Sequence, residues 1–410
     1  RPQRTAGLIM SIYAVLINDV ALDLADVEYN VQVTHARADI KSTPEPGTAQ
    51  VILRGSTGTG IEIGDELRIG AYTGICRFRG TVTDLRLEYL STDPAIPVVT
   101  VTGIGFLARL GLLTTGESAY SKETPRERVD AVMADAGIDY LNAADNVLEL
   151  DSNNDPGVQP KLSYLQEVAQ WSGGTYFDDC RGRIIFEDYG QRGIAGNPGI
   201  WENLTESWSF YTSAWSTFPI NNAASSIPGS AIAWAPEWQQ NLQTLINDIE
   251  VEYSNNNIYE LEDASSIAAY GRRKYDLTTE LHSAGDAQER AEQILTAQAY
   301  PLWNIGQITV LMDQLTDTQR NDVLALLNGS RVIIDDLPAG GPYTQFQGIV
   351  EGWSETFTPG RHLMTLSLSD PRYSYQTVPW SGVDATLTWG NVNTTLQWYN
   401  VVNADDLLAA

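Results

Sequence analysis

Two β-rich stretches lying far apart in this chain share one template, and that repeat limits the fold more than any other feature. The first reads Gly64-Asp65-Glu66-Leu67-Arg68-Ile69, then Phe78-Arg79-Gly80-Thr81-Val82, then Val99-Thr100-Val101-Thr102. The second reads Gly329-Ser330-Arg331-Val332-Ile333-Ile334, then Phe346-Gln347-Gly348-Ile349-Val350, then Met364-Thr365-Leu366-Ser367-Leu368. In each, a turn glycine (Gly64, Gly329) precedes an edge-like strand. A second glycine (Gly80, Gly348) interrupts the next strand, where glycine usually marks a bulge or sharp bend. A chain written this way carries one β unit twice. Three such chains in a ring would present six equivalent units, as a trimer does when it meets a sixfold partner.

Around the first copy, alternation predicts strands at Tyr29–Val33, Thr48–Leu53, Glu66–Ile69, Arg77–Leu87 and Val98–Thr102. Gly and Pro clusters at Pro44–Gly47 and Gly55–Gly60 divide them, which points to an antiparallel sandwich or barrel. The period then changes. Thr124-Pro125-Arg126-Glu127 is a capping box opening a helix that Gly137 closes, and Ser163–Gln166 opens a second one ending at Gly173-Gly174. A hairpin follows, Thr175–Phe177 and Arg183–Glu187. Residues 199–247 scatter Trp201, Trp208, Trp215, Trp234 and Trp238 without a period. A strand at Ile249–Tyr253, a helix from Asp286, a helix capped by Thr316 with Gln319, and strands Gln307–Met312, Arg331–Ile334, Phe346–Trp353 and Leu363–Leu368 complete the reading.

Charge excludes one class of function. Lys plus Arg number 25 and Asp plus Glu 52 among 410 residues, a formal net charge of −27. Such a chain does not grip nucleic acid by its phosphates, although an acidic wall would let DNA slide past. No run of about 18 apolar residues is present to span a membrane. Leu8–Ile17, after Arg1 and Arg4, has the look of a signal peptide, but it lacks a cleavage site and runs into Asn18 and Asp19, so it is not read as one. The first methionine is Met10, and residues 1–9 are read as an added leader or a fragment of something longer. Cys76 and Cys180 form no CxxC and are read as two reduced, unrelated thiols; with only His35, His282 and His362, a zinc site has little to draw on.

Chemical motifs were each weighed against a structural reading. Gly103-Ile104-Gly105-Phe106-Leu107-Ala108 fits a dinucleotide fingerprint, but the strands before it read as antiparallel rather than as a βαβ unit. Asp151–Asp155 begins like a calcium loop, yet Pro156 stands where Gly is needed and Leu162 where Glu is needed. Pairs such as Glu260 and Glu262 are expected by chance in so acidic a chain, and the three histidines join no Ser/His/Asp or Cys/His motif. No catalytic, cofactor-binding or metal-binding residue is assigned, and the chain is read as no enzyme.

Several ordered segments resemble the tail-tip or baseplate hub (minor tail) proteins of long-tailed bacteriophages, relatives of the contractile-tail hubs. Pro46–Leu53 resembles the early strand of the family's first barrel, and Leu162–Gly174 with Thr175–Glu187 its helix-then-hairpin insertion. Asn247–Val251, Ser265–Gly271 and Ala291–Leu295 resemble the run into the second barrel; Leu327–Ile334 and Phe346–Trp353 resemble that barrel. The resemblance covers about residues 10–375. It implies a β-rich α+β chain with tail-tube-like antiparallel β-barrel or sandwich domains at 10–108 and 301–378 and an α+β insertion at 109–198. The residues themselves add a second, Trp-rich insertion at 199–300, of which 199–247 match nothing in the family, and an extended C-terminal arm at 379–410. The resemblance further implies a homotrimeric virion protein at the distal end of the tail, surrounding the DNA exit channel. Its partners would be the distal tail ring, tail tube and tape-measure proteins and the receptor-binding or fibre proteins. DNA would pass through without tight binding during ejection.

In the arm, Trp380, Trp389 and Trp398 recur every nine residues, each followed by Val three residues later. Nine is no helical period, so the segment suggests an extended strap laying one indole per repeat on a partner. Two other readings stay open: a receptor- or carbohydrate-binding tip protein using the Trp-rich segments, and a cell-wall hydrolase.

Overall fold

The computed structural model describes residues 13–371, apart from 190–224 and short stretches at 23–26, 38–41, 55–59, 73–74, 93–94, 116–118, 143, 145–147, 154–156, 188, 235 and 359–360. Trp380, Trp389 and Trp398 of the expected arm, and Trp201, Trp208 and Trp215, lie outside the described residues.

The amino-terminal part is all strand: β1 (Tyr13–Ile17), β2 (Val20–Ala21), β3 (Val27–Ala36), β4 (Thr48–Arg54), β5 (Glu66–Ala71), β6 (Ile75–Thr92) and β7 (Ala95–Gly105). The signal-like stretch thus contributes a strand, with Tyr13, Val15 and Ile17 buried on one face. The insertion contains α1 (Leu107–Leu110), α2 (Pro125–Met133), β8 (Tyr140–Asn142), α3 (Lys161–Ser172), β9 (Thr175–Asp178) and β10 (Ile184–Glu187). After β11 (Ser225–Pro228) come β12 (Asp248–Tyr253), β13 (Asn257–Glu262), α4 (Ala264–Tyr270), β14 (Lys274–Thr278) and α5 (Ala284–Gln298). The last unit holds β15 (Gln307–Leu311), α6 (Asp317–Leu324), β16 (Arg331–Asp335), β17 (Phe346–Thr358) and β18 (Arg361–Ser369).

Caps set the helix starts. Thr124 with Glu127 and Thr316 with Gln319 form the expected capping boxes. The other two helices begin earlier than expected. α3 starts at Lys161, after Pro160, so the Ser163–Gln166 pattern lies inside it. α5 is capped by Ser283, whose hydroxyl accepts from the Asp286 amide while the Asp286 carboxylate accepts from Ser283 in return. Gly173 ends α3 at φ 71°, a left-handed cap that favours glycine.

The expected pair of separate barrels is instead one curled sheet of twelve strands over one apolar core. Its main order is β11-β16-β17-β3-β4-β7-β6-β5-β1-β2, and β15 and β18 extend it from β17. Val15, Leu67, Phe78 and Val101 from the first unit share this core with Val332, Phe346, Trp353 and Leu366 from the second. The join is β3, which pairs with β4 on one side and with the second half of β17 on the other. A second core gathers both insertions: Leu107, Val129, Tyr164 and Phe186 pack with Ile249, Leu277 and Ile294. Two three-stranded mixed sheets, β8-β10-β9 and β13-β12-β14, flank it. Among the described residues, no helix is long and apolar enough to cross a membrane.

Candidate assembly interface

The repeat is real at the level of backbone register. β5 pairs with β6 as Glu66↔Thr81, Leu67↔Gly80, Arg68↔Arg79 and Ile69↔Phe78. β16 pairs with β17 as Arg331↔Ile349, Val332↔Gly348, Ile333↔Gln347 and Ile334↔Phe346. Each residue of one set sits at the template position of the other. The flanking bonds repeat too: the Gly64 amide donates to the Val82 carbonyl (2.9 Å) and the Val82 amide to that of Asp65 (2.8 Å). In the second unit, Gly329 donates to Val350 (2.7 Å) and Val350 to Ser330 (2.8 Å). Gly64 (φ 101°) and Gly329 (φ 82°) both occupy the left-handed turn that a side chain would strain. A bulge follows at the same place in each copy, between Val82 and Asp84 and between Val350 and Gly352.

The strand glycines have a different job from the one expected. The bulge lies beyond them, and each instead makes room for the aromatic ring two residues earlier on the same face. A Cβ on Gly80 would meet Phe78 Cζ at 2.6 Å and the Ile104 carbonyl at 2.3 Å; one on Gly348 would meet Phe346 Cε1 at 2.9 Å. Burying each phenylalanine in this way is worth about 2–3 kcal/mol. Gly103 and Gly105 are also packing glycines. A Cβ on Gly103 would meet Leu67 at 2.8 Å, and one on Gly105 would overlap the Asp178 carboxylate at 1.8 Å. The helix after them has four residues, so this is where the insertion docks rather than a dinucleotide loop.

Buried ion pairs hold the two units together where β6 faces β17. Arg77 of β6 donates from Nε to Glu355 of β17 (2.7 Å) and from a terminal nitrogen to the Leu324 carbonyl (2.5 Å). Its guanidinium lies 5.3 Å from the Trp353 ring centroid. His362 Nε2 meets the other Glu355 oxygen at 2.9 Å, and Tyr72 reaches His362 Nδ1 at 3.2 Å. Burial by itself would raise the Glu355 pKa, but Arg77 and His362 outweigh it and bring the carboxyl down to about 2. Arg37 pairs with Glu351 (2.7 Å), the residue at the bulge.

Asp178, at the end of β9, fastens the insertion to the sheet. Its carboxylate accepts from the Gly47 amide (3.0 Å) and lies 3.7 Å from His35 Nδ1, while His35 Nε2 meets the Arg77 carbonyl at 2.8 Å. Burial lowers the His35 pKa, yet Asp178 and that carbonyl leave it raised above the usual histidine value. Cys76 and Cys180 are not unrelated: the Cys76 thiol donates to the Cys180 carbonyl at 2.6 Å, and both are free thiols.

On the face opposite the core, β5, β6 and β16 carry Glu66, Arg68, Arg79, Asp84, Arg86, Glu88, Arg331 and Asp335, whereas the middle of the sheet is polar with little charge. Gln32, Thr34, Gln50, Thr100, Thr102, Ser354, Thr356, Thr365 and Ser367 alternate with the core residues along five strands. A cleft of about 790 Å³ between the two insertions, with Arg37 at its side, collects Arg37, Arg272, Arg273, Lys274 and Arg290. Three of these are matched, Arg37 by Glu351, Arg272 by Asp248 and Glu262, and Lys274 by Glu250 and Asp276. Of the tryptophans in the second insertion, Trp234 is exposed and Trp238 packs edge-on against Phe346. Asp151 accepts from Ser254 (2.5 Å) and the Ser152 amide (2.9 Å), so it ties loop to insertion.

Solved structures share this fold. The 43 kDa tail protein of prophage MuSo2 from Shewanella oneidensis aligns over 88% of this chain and 99% of its own, with a TM-score of 0.60 at 12% identity. This chain has the fold of a phage tail protein. The tail protein of Neisseria meningitidis MC58 aligns over 88% and 98% (TM-score 0.59, 11% identity). An E. coli component of the type VI secretion system, described as similar to the T4 tail proteins gp27 and gp5, aligns over 89% and 79% (TM-score 0.51, 12% identity). The expected likeness to baseplate hubs therefore holds for the fold. No family model and no curated protein matches the sequence.

Proposed function

We propose that this protein is a structural hub of a phage tail, a homotrimer at the distal end that joins the tail tube to the tip and surrounds the DNA exit channel. The observation that carries this reading is the repeated β unit, matched residue for residue in hydrogen-bond register within one sheet. A twice-used unit lets three chains present six equivalent surfaces to a sixfold tube. The Thr, Ser and Gln surface of the middle strands β3, β4, β7, β17 and β18 suits a channel wall. The flanking strands mix Arg with Asp and Glu rather than clustering Lys and Arg, so the wall releases few counterions from DNA and does not hold it. The net acidity then belongs to other surfaces, such as the Glu250, Glu252, Glu260 and Glu262 rows on β12 and β13. The distal tail ring, tube and tape-measure proteins meet the sheet's ends, fibre or receptor-binding proteins meet the insertions, and residues 379–410 strap one partner through Trp380, Trp389 and Trp398. The protein acts mechanically and catalyses no reaction. Gold-labelled antibody against this chain, applied to whole virions, is expected to mark the distal tip of the tail. Label on the capsid, or along the tube, would overturn the proposal.

A further inference from the structure

The two copies differ at one edge, and the difference identifies a surface. Counted from the bulge, Asp84–Tyr89 of β6 occupy the positions of Gly352–Phe357 of β17. Their partners on the inner side repeat as well: Leu85↔Val101, Leu87↔Val99 and Tyr89↔Pro97 in one unit, Trp353↔Leu366, Glu355↔Met364 and Phe357↔His362 in the other. On the outer side, β17 pairs with β3 over Gly352↔Ala36 to Phe357↔Val31. Among the described residues nothing pairs with the corresponding outer edge of β6.

Side chains register the same contrast. Trp353, Glu355 and Phe357 are 2%, 1% and 0% exposed, whereas Leu87 and Tyr89 at the equivalent positions are 51% and 59% exposed. Leu85, Leu87 and Tyr89 alternate on the core face, so the sheet carries an apolar row past the end of its own core. A long strand with a free edge and an apolar face invites pairing with another strand.

The matching partner is also present. β3 runs beside β4, with Val27 opposite Leu53. In the second unit β15 takes the place of β4: Gln307, Ile308 and Val310 face Ser367, Leu366 and Met364 as Gln50, Val51 and Leu53 face Thr102, Val101 and Val99. Beside β15 lie Ile232–Trp234 and Pro236–Gln239, held by isolated bridges at Ile232↔Val310 and Gln239↔Asn304 and by Ala233 donating to Thr309 at 2.8 Å. These residues stand where β3 stands in the first unit. Their outer side faces no described strand, and Trp234 is 71% exposed. One molecule thus ends in a β6-type edge lacking its β3, and begins another with a β3-like run lacking its β17.

We propose that a second copy of this chain completes the edge: Asp84–Tyr89 of one molecule lie against Ile232–Trp234 and Pro236–Gln239 of the next. The contact joins unlike surfaces, so it propagates head to tail, and in the trimer proposed above it closes into a ring. This inference rests on the hub reading above and adds the contact that builds the ring. Asp84, Arg86 and Glu88 point to the other face, whereas Leu87 and Tyr89 lie on the apolar face that the next molecule would cover. An unpaired charge buried there is costly, so Leu87→Lys with Tyr89→Lys is the perturbation, both sites being exposed within one chain.

Sedimentation of the purified full chain is expected to give a trimer for the unaltered protein and at least a tenfold weaker association for L87K/Y89K. Hydrogen exchange on the unaltered protein supplies a second readout independent of any variant. Amides of residues 84–89 are expected to exchange slowly in the oligomer and fast after dilution to monomer. An unaltered trimer in which these amides exchange fast, or which L87K/Y89K leaves equally tight, overturns the edge contact while sparing the hub. Slow exchange of 84–89 in a monomer also overturns it, because the chain would then cover its own edge. A protein that stays monomeric at high concentration sinks both readings.

Discussion

The buried pair between Arg77 and Glu355 gives a sharp test of how the two β units are joined. Both side chains are almost fully buried, and each is the other's main counter-charge. Glu355→Gln keeps the volume and most of the hydrogen-bonding shape but leaves the Arg77 charge in the core with no counter-ion. Breaking a buried pair from one side costs about 3–5 kcal/mol. A second figure follows from the charges around it: despite burial, Arg77 and His362 bring the Glu355 carboxyl from an ordinary 4.5 to about 2 in the folded chain. That corresponds to roughly 3 kcal/mol of stability from ionised Glu355. Because the folded value is depressed, this contribution is complete above the ordinary carboxylate pKa and fades as pH falls from about 4.5 towards 2. The chain has two cores, so a whole-molecule melt would mix them; hydrogen exchange in β17 reads the relevant one. E355Q should speed β17 exchange at pH 7 by the equivalent of about 3 kcal/mol or more, and the gap should shrink towards pH 2. Adding Arg77→Met should recover at least half the loss, since the stranded charge is gone. A loss under about 1 kcal/mol, or a gap that does not change with pH, would refute the assignment of the pair as the fastening between units.

Other outcomes are expected from the same geometry. Gly105→Ala should lower the melting temperature by displacing Asp178, a loss of about 2 kcal/mol, whereas Gly137→Ala, whose Cβ would meet open space, should show only the smaller cost of its φ of 61°; equal losses would contradict the docking role. His35 contributes stability that is complete below its ordinary pKa of 6.5 and is lost as pH rises through its raised folded value. His35→Gln should therefore flatten the alkaline decline in stability above pH 6.5, and an unchanged pH profile would count against the Asp178 contact. A side-chain hydrogen bond between the two thiols lowers the Cys76 pKa and pushes Cys180 well up, so iodoacetamide should alkylate Cys76 first; mass mapping showing Cys180 first would reverse that ordering.

Much of the β framework was legible because its signals are local. Left-handed turns demand Gly64 and Gly329, and the Phe-x-Gly steps at 78–80 and 346–348 record a ring lying over a glycine. The joining of the units was hidden, because the β3–β17 pairing links residues more than 300 positions apart, and no local pattern encodes such a contact. The fastening residues were hidden for another reason: Glu351, Glu355 and Asp178 are three carboxylates among 52. Only burial distinguishes them, and burial is a tertiary property. β13 escaped notice because Asn257–Glu262 alternates weakly between exposed and half-buried residues. Competing caps explain the shifted helices, since Ser283 outranks Asp286 at the start of α5 and Pro160 allows α3 to begin before Ser163.

Particle mass in solution tests the central claim most directly. A chain that carries one β unit twice to match a sixfold tube should sediment at three times its 45.0 kDa mass, and averaged end-on images should show six lobes around a central opening. A stable monomer or dimer over the whole concentration range, or a threefold outline without the six lobes, would contradict it.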